Sequence, residues 1–109
     1  MIERHHYLKL KQEFAHPAAR AEIVGRVLEV LPAVPGVVGV TAGTPADADA
    51  ERSWDVFISV RFGKLSDVGT YRAHPVHRRF VDEFLSPRVE VKKAWNFEAR
   101  VVGTRGGGA

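Results

Sequence analysis

TYRAHPVHRRFVDEFLSP, residues 70–87, combines the core pattern of a helix with three side chains able to move protons. From Pro75 onward Val76, Phe80, Val81, Phe84 and Leu85 recur at the i, i+4, i+5, i+8, i+9 spacing of an amphipathic helix, and Arg78, Arg79, Asp82 and Glu83 take its other side. Pro75 suits a first helical position, where its missing N–H is not needed. His77 precedes Phe80 by three residues and Val81 by four, so it projects from the buried stripe and aims a titratable ring inward. Tyr71 and His74 lie upstream on a short helical piece that the His74-Pro75 junction interrupts. The spacing brings Tyr71, His74 and His77 toward one cavity.

Outward from this segment the chain alternates between the two periods of regular structure. From His5 to Lys11, His6, Leu8 and Leu10 share one face and His5, Tyr7, Lys9 and Lys11 the other, as in a half-buried strand. Residues 17–31 carry a helical stripe of Ala19, Ile23, Val24, Val27, Leu28 and Leu31, which Pro32 ends. Pro35-Gly36 turns the chain into a strand over 37–42, and residues 43–52 read as a polar hairpin loop. Residues 53–62 give the clearest strand, with Trp54, Val56, Ile58, Val60 and Phe62 on a core face. After Pro87, residues 89–101 alternate again and set Val89, Val91, Trp95, Phe97, Ala99 and Val101 together.

The order β-α-β-β-α-β predicts an α+β fold, a ferredoxin-like antiparallel sheet with both helices on one face. The second face then carries Tyr7, Phe57 and Ala94 among Asp55, Arg61, Lys92, Glu98 and Arg100, a mixture that suits an interface and predicts a homodimer.

With 109 residues, 45% hydrophobic and 27% charged, the chain has the length and composition of one globular domain. No apolar run approaches the ~20 residues of a membrane helix, so a cytoplasmic protein with no membrane partner is expected. The absence of cysteine excludes disulfides and thiolate metal sites. A net charge of +3 with a pI near 9.6 is spread over all elements, which argues against nucleic acid as a partner. His74 and His77 at i, i+3, with His6 opposite, form an unspecific histidine spacing that no acidic residue joins; neither metal nor cofactor is expected.

Tyr71, His74, Pro75, His77, Phe80, Phe84 and Leu85 form a Y-x-x-H-P-x-H motif followed by F-x-x-x-F-L. With HHYLKLK near the start, the V-P-G-V of residues 34–37, the strand WDVFISVRF and the closing N-F-E, the chain resembles the stress-responsive A/B-barrel (Dabb) domain family. Asn96 stands where that family usually has aspartate, and Arg4 where it often has histidine. The resemblance covers residues 2–99 and places the domain at residues 1–102, leaving a flexible glycine-rich tail at 103–109. It implies sheet-to-sheet pairing into a dimeric α+β barrel and a role in stress response.

One plant branch of the family is a polyketide cyclase whose catalytic tyrosine and histidine fall on the positions of Tyr71 and His77. The resemblance thus implies a site for a small, partly apolar carbonyl compound with cofactor-free acid/base chemistry by these two residues. His6, His74, Val56, Trp54, Phe80, Val81, Phe84, Trp95 and Phe97 are the expected binding residues around them. A non-catalytic structural stress protein, in which the histidine motif only locks the helix break, stays open as the alternative.

Overall fold

The computed structural model describes residues 1–103. Four strands, β1 (Ile2–Leu10), β2 (Val37–Gly43), β3 (Val56–Phe62) and β4 (Val89–Glu98), form an antiparallel sheet in the order β2-β3-β1-β4. Helix α1 (Pro17–Val30) connects β1 to β2, and α3 (Ser66–Ala73) with α4 (Pro75–Phe80) connects β3 to β4. This is the expected ferredoxin-like order. Ile23, Val27, Val68, Tyr71 and Phe80 from the helices share one core with Leu8, Leu10, Val56, Ile58, Val60 and Phe62 from the central strands. Both long connections therefore cover the same face of the sheet.

Local chemistry sets the element ends. His16 Nδ1 accepts from Ala19 N at 3.3 Å and caps α1, with Pro17 in the first turn. Gly36 turns the chain into β2 at φ 91°, a conformation that disfavours a Cβ. His74, extended at φ −64° and ψ 136° as the residue before Pro75 must be, separates α3 from α4 and caps α4 by accepting from Val76 N at 3.1 Å. Beyond α4 the helix continues as one π turn, Val81–Leu85, in which Ser86 N donates to Val81 O at 2.8 Å.

Four expectations need correction. The connection over 43–52 is not all loop: Asp47 accepts from Ala50 N at 2.8 Å and caps a short helix, α2 (Ala48–Ser53). Strand β3 accordingly starts at Val56, and Trp54 leaves the core face to pack its ring 5.8 Å from that of Tyr7. The phase of β4 is also reversed over most of its length. Leu10 pairs with Val89 but Lys9 with Val91, so Glu90 is an extra residue, a bulge that shifts the alternation by one. Val89 stays packed against the core, whereas Val91, Trp95 and Phe97 turn to the outer face, and Lys92, Ala94 and Asn96 face the helices.

The outer face is therefore far more aromatic than expected. His5, Tyr7, Phe57, Trp95 and Phe97 form a continuous ring cluster, with Trp95 at 51% and Phe97 at 52% exposure. Asp55 does not belong to it. Its Oδ1 accepts from Arg20 Nε at 3.0 Å and Nη2 at 2.8 Å, and its Oδ2 from Leu10 N at 2.7 Å, in a buried link between α1 and the sheet. The tail expected at 103–109 lies, from residue 104 on, outside the described residues.

Candidate functional site

A cavity opens between β1, β3, β4 and the α3–α4 connection, lined by His6, Ile58, Tyr71, His77, Phe80 and Lys92 with Leu8, Leu31, Val81 and Leu85 around them. Its free volume is about 20 Å³, room for one water-sized group. The helix break makes this meeting possible. Tyr71 lies in the last turn of α3 and His77 in the first turn of α4, and the extended His74 between them folds the second ring back against the first at 4.3 Å between centroids. Phe62 closes the far side of Tyr71 at 5.1 Å.

His77 is 8% exposed. Its Nδ1 lies 3.1 Å from the carbonyl oxygen of Arg72, which only accepts; Nδ1 therefore carries the proton and Nε2 is the basic nitrogen. Burial, with repulsion from Lys92, Arg78 and Arg4, lowers the pKa of His77 below its ordinary value despite the Arg72 carbonyl, so the ring is held neutral. Tyr71, 1% exposed, is pushed well above the ordinary phenol range by burial, which keeps its hydroxyl a donor. His6, across the cavity, is lowered to about 3 by burial and by Arg4 and Lys92. Its Nδ1 is buried and lacks a hydrogen-bond partner among the described residues. Ser59 Oγ shares that condition, but it sits on the opposite strand face.

Of the expected site residues, the fold gathers Tyr71, His77, His6, Phe80 and Val81 around this cavity. His74 stays outside because its ring nitrogen is committed to the α4 cap. Val56 is buried elsewhere in the core. Phe84 stacks on Phe80 at 5.3 Å and faces away, under the guanidinium of Arg88 at 4.0 Å. Trp54, Trp95 and Phe97 lie on the opposite face of the sheet, so the aromatic walls expected for the cavity belong to the outer surface.

Lys92 is the residue that sequence reasoning missed. The alternation of the sequence puts it on the outer face, opposite Trp95 and Phe97, and only the bulge at Glu90 reverses that phase. Leu31 and Leu85 also line the cavity, each from the end of a helical stripe. Among the described residues no three His, Asp or Glu side chains gather as a metal ion would require.

A second, open groove of about 260 Å³ runs along the π turn and the start of β4. It shares Val81, Leu85 and Lys92 with the cavity, so these side chains are the partition between His77 and solvent. The π turn itself forms one wall, a backbone irregularity of the kind often found at functional sites.

Comparison with known proteins matches the geometry at the level of the fold. The profile of the family described as Stress responsive A/B Barrel Domain matches residues 2–99. No curated protein matches the chain in sequence. A Dabb family protein with a ferredoxin-like fold from Mesorhizobium loti superposes with a TM-score of 0.75 at 19% identity, covering 92% of this chain and 97% of that one. A dimeric ferredoxin-like protein from Thermobifida fusca gives a TM-score of 0.72 at 19% identity, covering 90% of each chain. A hydroxynitrile lyase from Passiflora edulis gives 0.71 at 17% identity, with 94% of this chain and 97% of that one covered. At these identities the likeness is one of fold.

Proposed function

From a chain that belongs to the stress responsive A/B barrel (Dabb) domain family, we propose a protein that binds a small, partly apolar carbonyl compound and acts on it by cofactor-free acid/base chemistry. The observation that carries this reading is the His77 Nδ1 to Arg72 oxygen bond at 3.1 Å, which leaves Nε2 as the acceptor of a neutral ring beside a protonated phenol. In the reaction, His77 Nε2 takes a proton from a carbon next to a carbonyl. The C–H electron pair moves onto the carbonyl oxygen as an enolate, to which the Tyr71 hydroxyl donates. The nucleophilic carbon then adds to a second carbonyl of the same molecule, and the new alkoxide takes the proton back from His77. Access requires Lys92 and Leu85 to swing aside and join the cavity to the groove. A fold shared with a hydroxynitrile lyase is compatible with acid/base chemistry but does not specify it.

The small volume of the cavity, about 20 Å³, favours a second reading, a non-catalytic stress protein in which His77 ties the helix break by its bond to Arg72. The two readings separate in one experiment. Exchange of the central methylene protons of ethyl 3-oxobutanoate in D₂O at pH 6, followed by NMR, should run above the buffer rate with the native protein. His77→Ala and Tyr71→Phe should bring it to background while their melts stay close to native. No exchange above buffer with the native protein, together with variants destabilised by about 1–3 kcal/mol, would establish the structural role instead.

A further inference from the structure

We propose that the compound taken by this site carries an acid group, a carboxylate received by Lys92 and Arg4 while its carbonyl end meets Tyr71 and His77. The inference rests on the carbonyl-binding reading above and adds the charge of the ligand. Its first support is the cavity lining, which offers Lys92, two histidines and a phenol and contains no carboxylate. Arg4 and His6 lie two residues apart on the helix-facing side of β1, and β4 sets Asn96 opposite Arg4 and Lys92 opposite Leu8, so both cations border the same histidine. Arg4 is held by Asn96, its Nη1 donating to Oδ1 at 3.0 Å. That partner orients the guanidinium without neutralising it. Arg78, on the far side, is already paired with Asp82 at 2.8 Å, and Glu90 on the groove is exposed.

The arrangement crowds like charges, with Arg4 partly buried and Lys92 exposed, and so favours an anion that joins it. The pKa of Lys92 is lowered by burial and by Arg4, Arg72 and Arg78, and that of Arg4 by burial and by Arg72. A carboxylate at this point relieves the repulsion among them, and charge-assisted hydrogen bonds to it are about twice as strong as neutral ones. His6 lines the same cavity, and its buried Nδ1 has no hydrogen-bond partner among the described residues, a polar group for which a bound molecule or a water it brings would be a partner. The position of Lys92, on the partition between groove and cavity, makes it the first cation an entering acid meets.

The test uses two probes of nearly equal shape, 3-oxobutanoate and the uncharged pentane-2,4-dione, titrated calorimetrically into the native full-length protein at pH 7. The acid should bind at least about tenfold more tightly than the dione. Asn96→Asp, which keeps the shape and neutralises Arg4, and Lys92→Met should each remove about tenfold of the acid's affinity and change that of the dione far less. Equal binding of the two probes, or variants that weaken both alike, would overturn the acid group and leave the carbonyl site standing. Binding of neither probe at millimolar concentration would overturn both.

Discussion

In a homodimer paired through the outer sheet faces, as the sequence predicts, replacing Trp95 by alanine should break the assembly apart without unfolding the protomer. Trp95 stands on the outer face of an edge strand, 6.3 Å from the ring of Tyr7, with 51% of its surface exposed. A tryptophan buries roughly 150–250 Å² when fully covered, so about 100 Å² of it remains for a partner to cover. At about 25 cal/mol per Å² that area contributes about 2.5 kcal/mol, and a twofold axis counts it twice, for about 5 kcal/mol per dimer. Side-chain ordering and the methyl that alanine retains reduce the figure to about 3–5 kcal/mol, a rise in the dimer dissociation constant of at least about a hundredfold. Sedimentation velocity over a dilution series reads the constant directly, and far-ultraviolet circular dichroism checks the protomer fold. Leu28→Ala supplies the control, since Leu28 is similarly exposed, at 44%, but sits on α1 on the other side of the sheet. Equal dissociation of Trp95→Ala and Leu28→Ala, or a native protein monomeric at every concentration, would refute the pairing of outer faces.

Asp55→Ala should lower stability by about 3–5 kcal/mol, because it leaves the buried Arg20 with only the exposed Glu51, 3.4 Å away, and the Leu10 N–H without an acceptor; a loss below about 1 kcal/mol in urea melts would show that the pair is hydrated. Stability should also fall on the acid side. His6 titrates at about 3 in the fold against about 6.5 in the unfolded chain, so below pH 6.5 the unfolded chain takes up the proton first. The contribution is complete above pH 6.5, is reduced by about 2 kcal/mol at pH 5, and declines further toward pH 3; lowered His77 acts in the same direction. The gap between urea midpoints at pH 7.5 and pH 5 should shrink for His6→Leu, with the His77 part remaining, and an unchanged pH dependence in that variant would contradict the neutral burial of His6.

The pattern of the chain determined its architecture because each element carries its own period. The alternation of His6, Leu8 and Leu10, the helical stripe from Ile23 to Leu31, and the Phe80, Phe84 and Leu85 spacing are local signals, and they predicted four strands, two helical connections and an inward His77. The convergence of Tyr71 and His77 was equally legible, since one helix break at His74-Pro75 sets their relation within seven positions of sequence. The strand that failed is instructive. Alternation puts Val91, Trp95 and Phe97 in one row but does not say which side of the sheet that row takes, and a single extra residue at Glu90 sends it to the outer face. Trp54 failed for a related reason: a capped turn of helix replaced the first residues of the expected strand. Only the tertiary structure decided that Trp95 and Phe97 belong to the outer face and Lys92 to the cavity, because a strand's phase is set by hydrogen bonds to its neighbour, here β1, some ninety positions away, and not by the residues beside it.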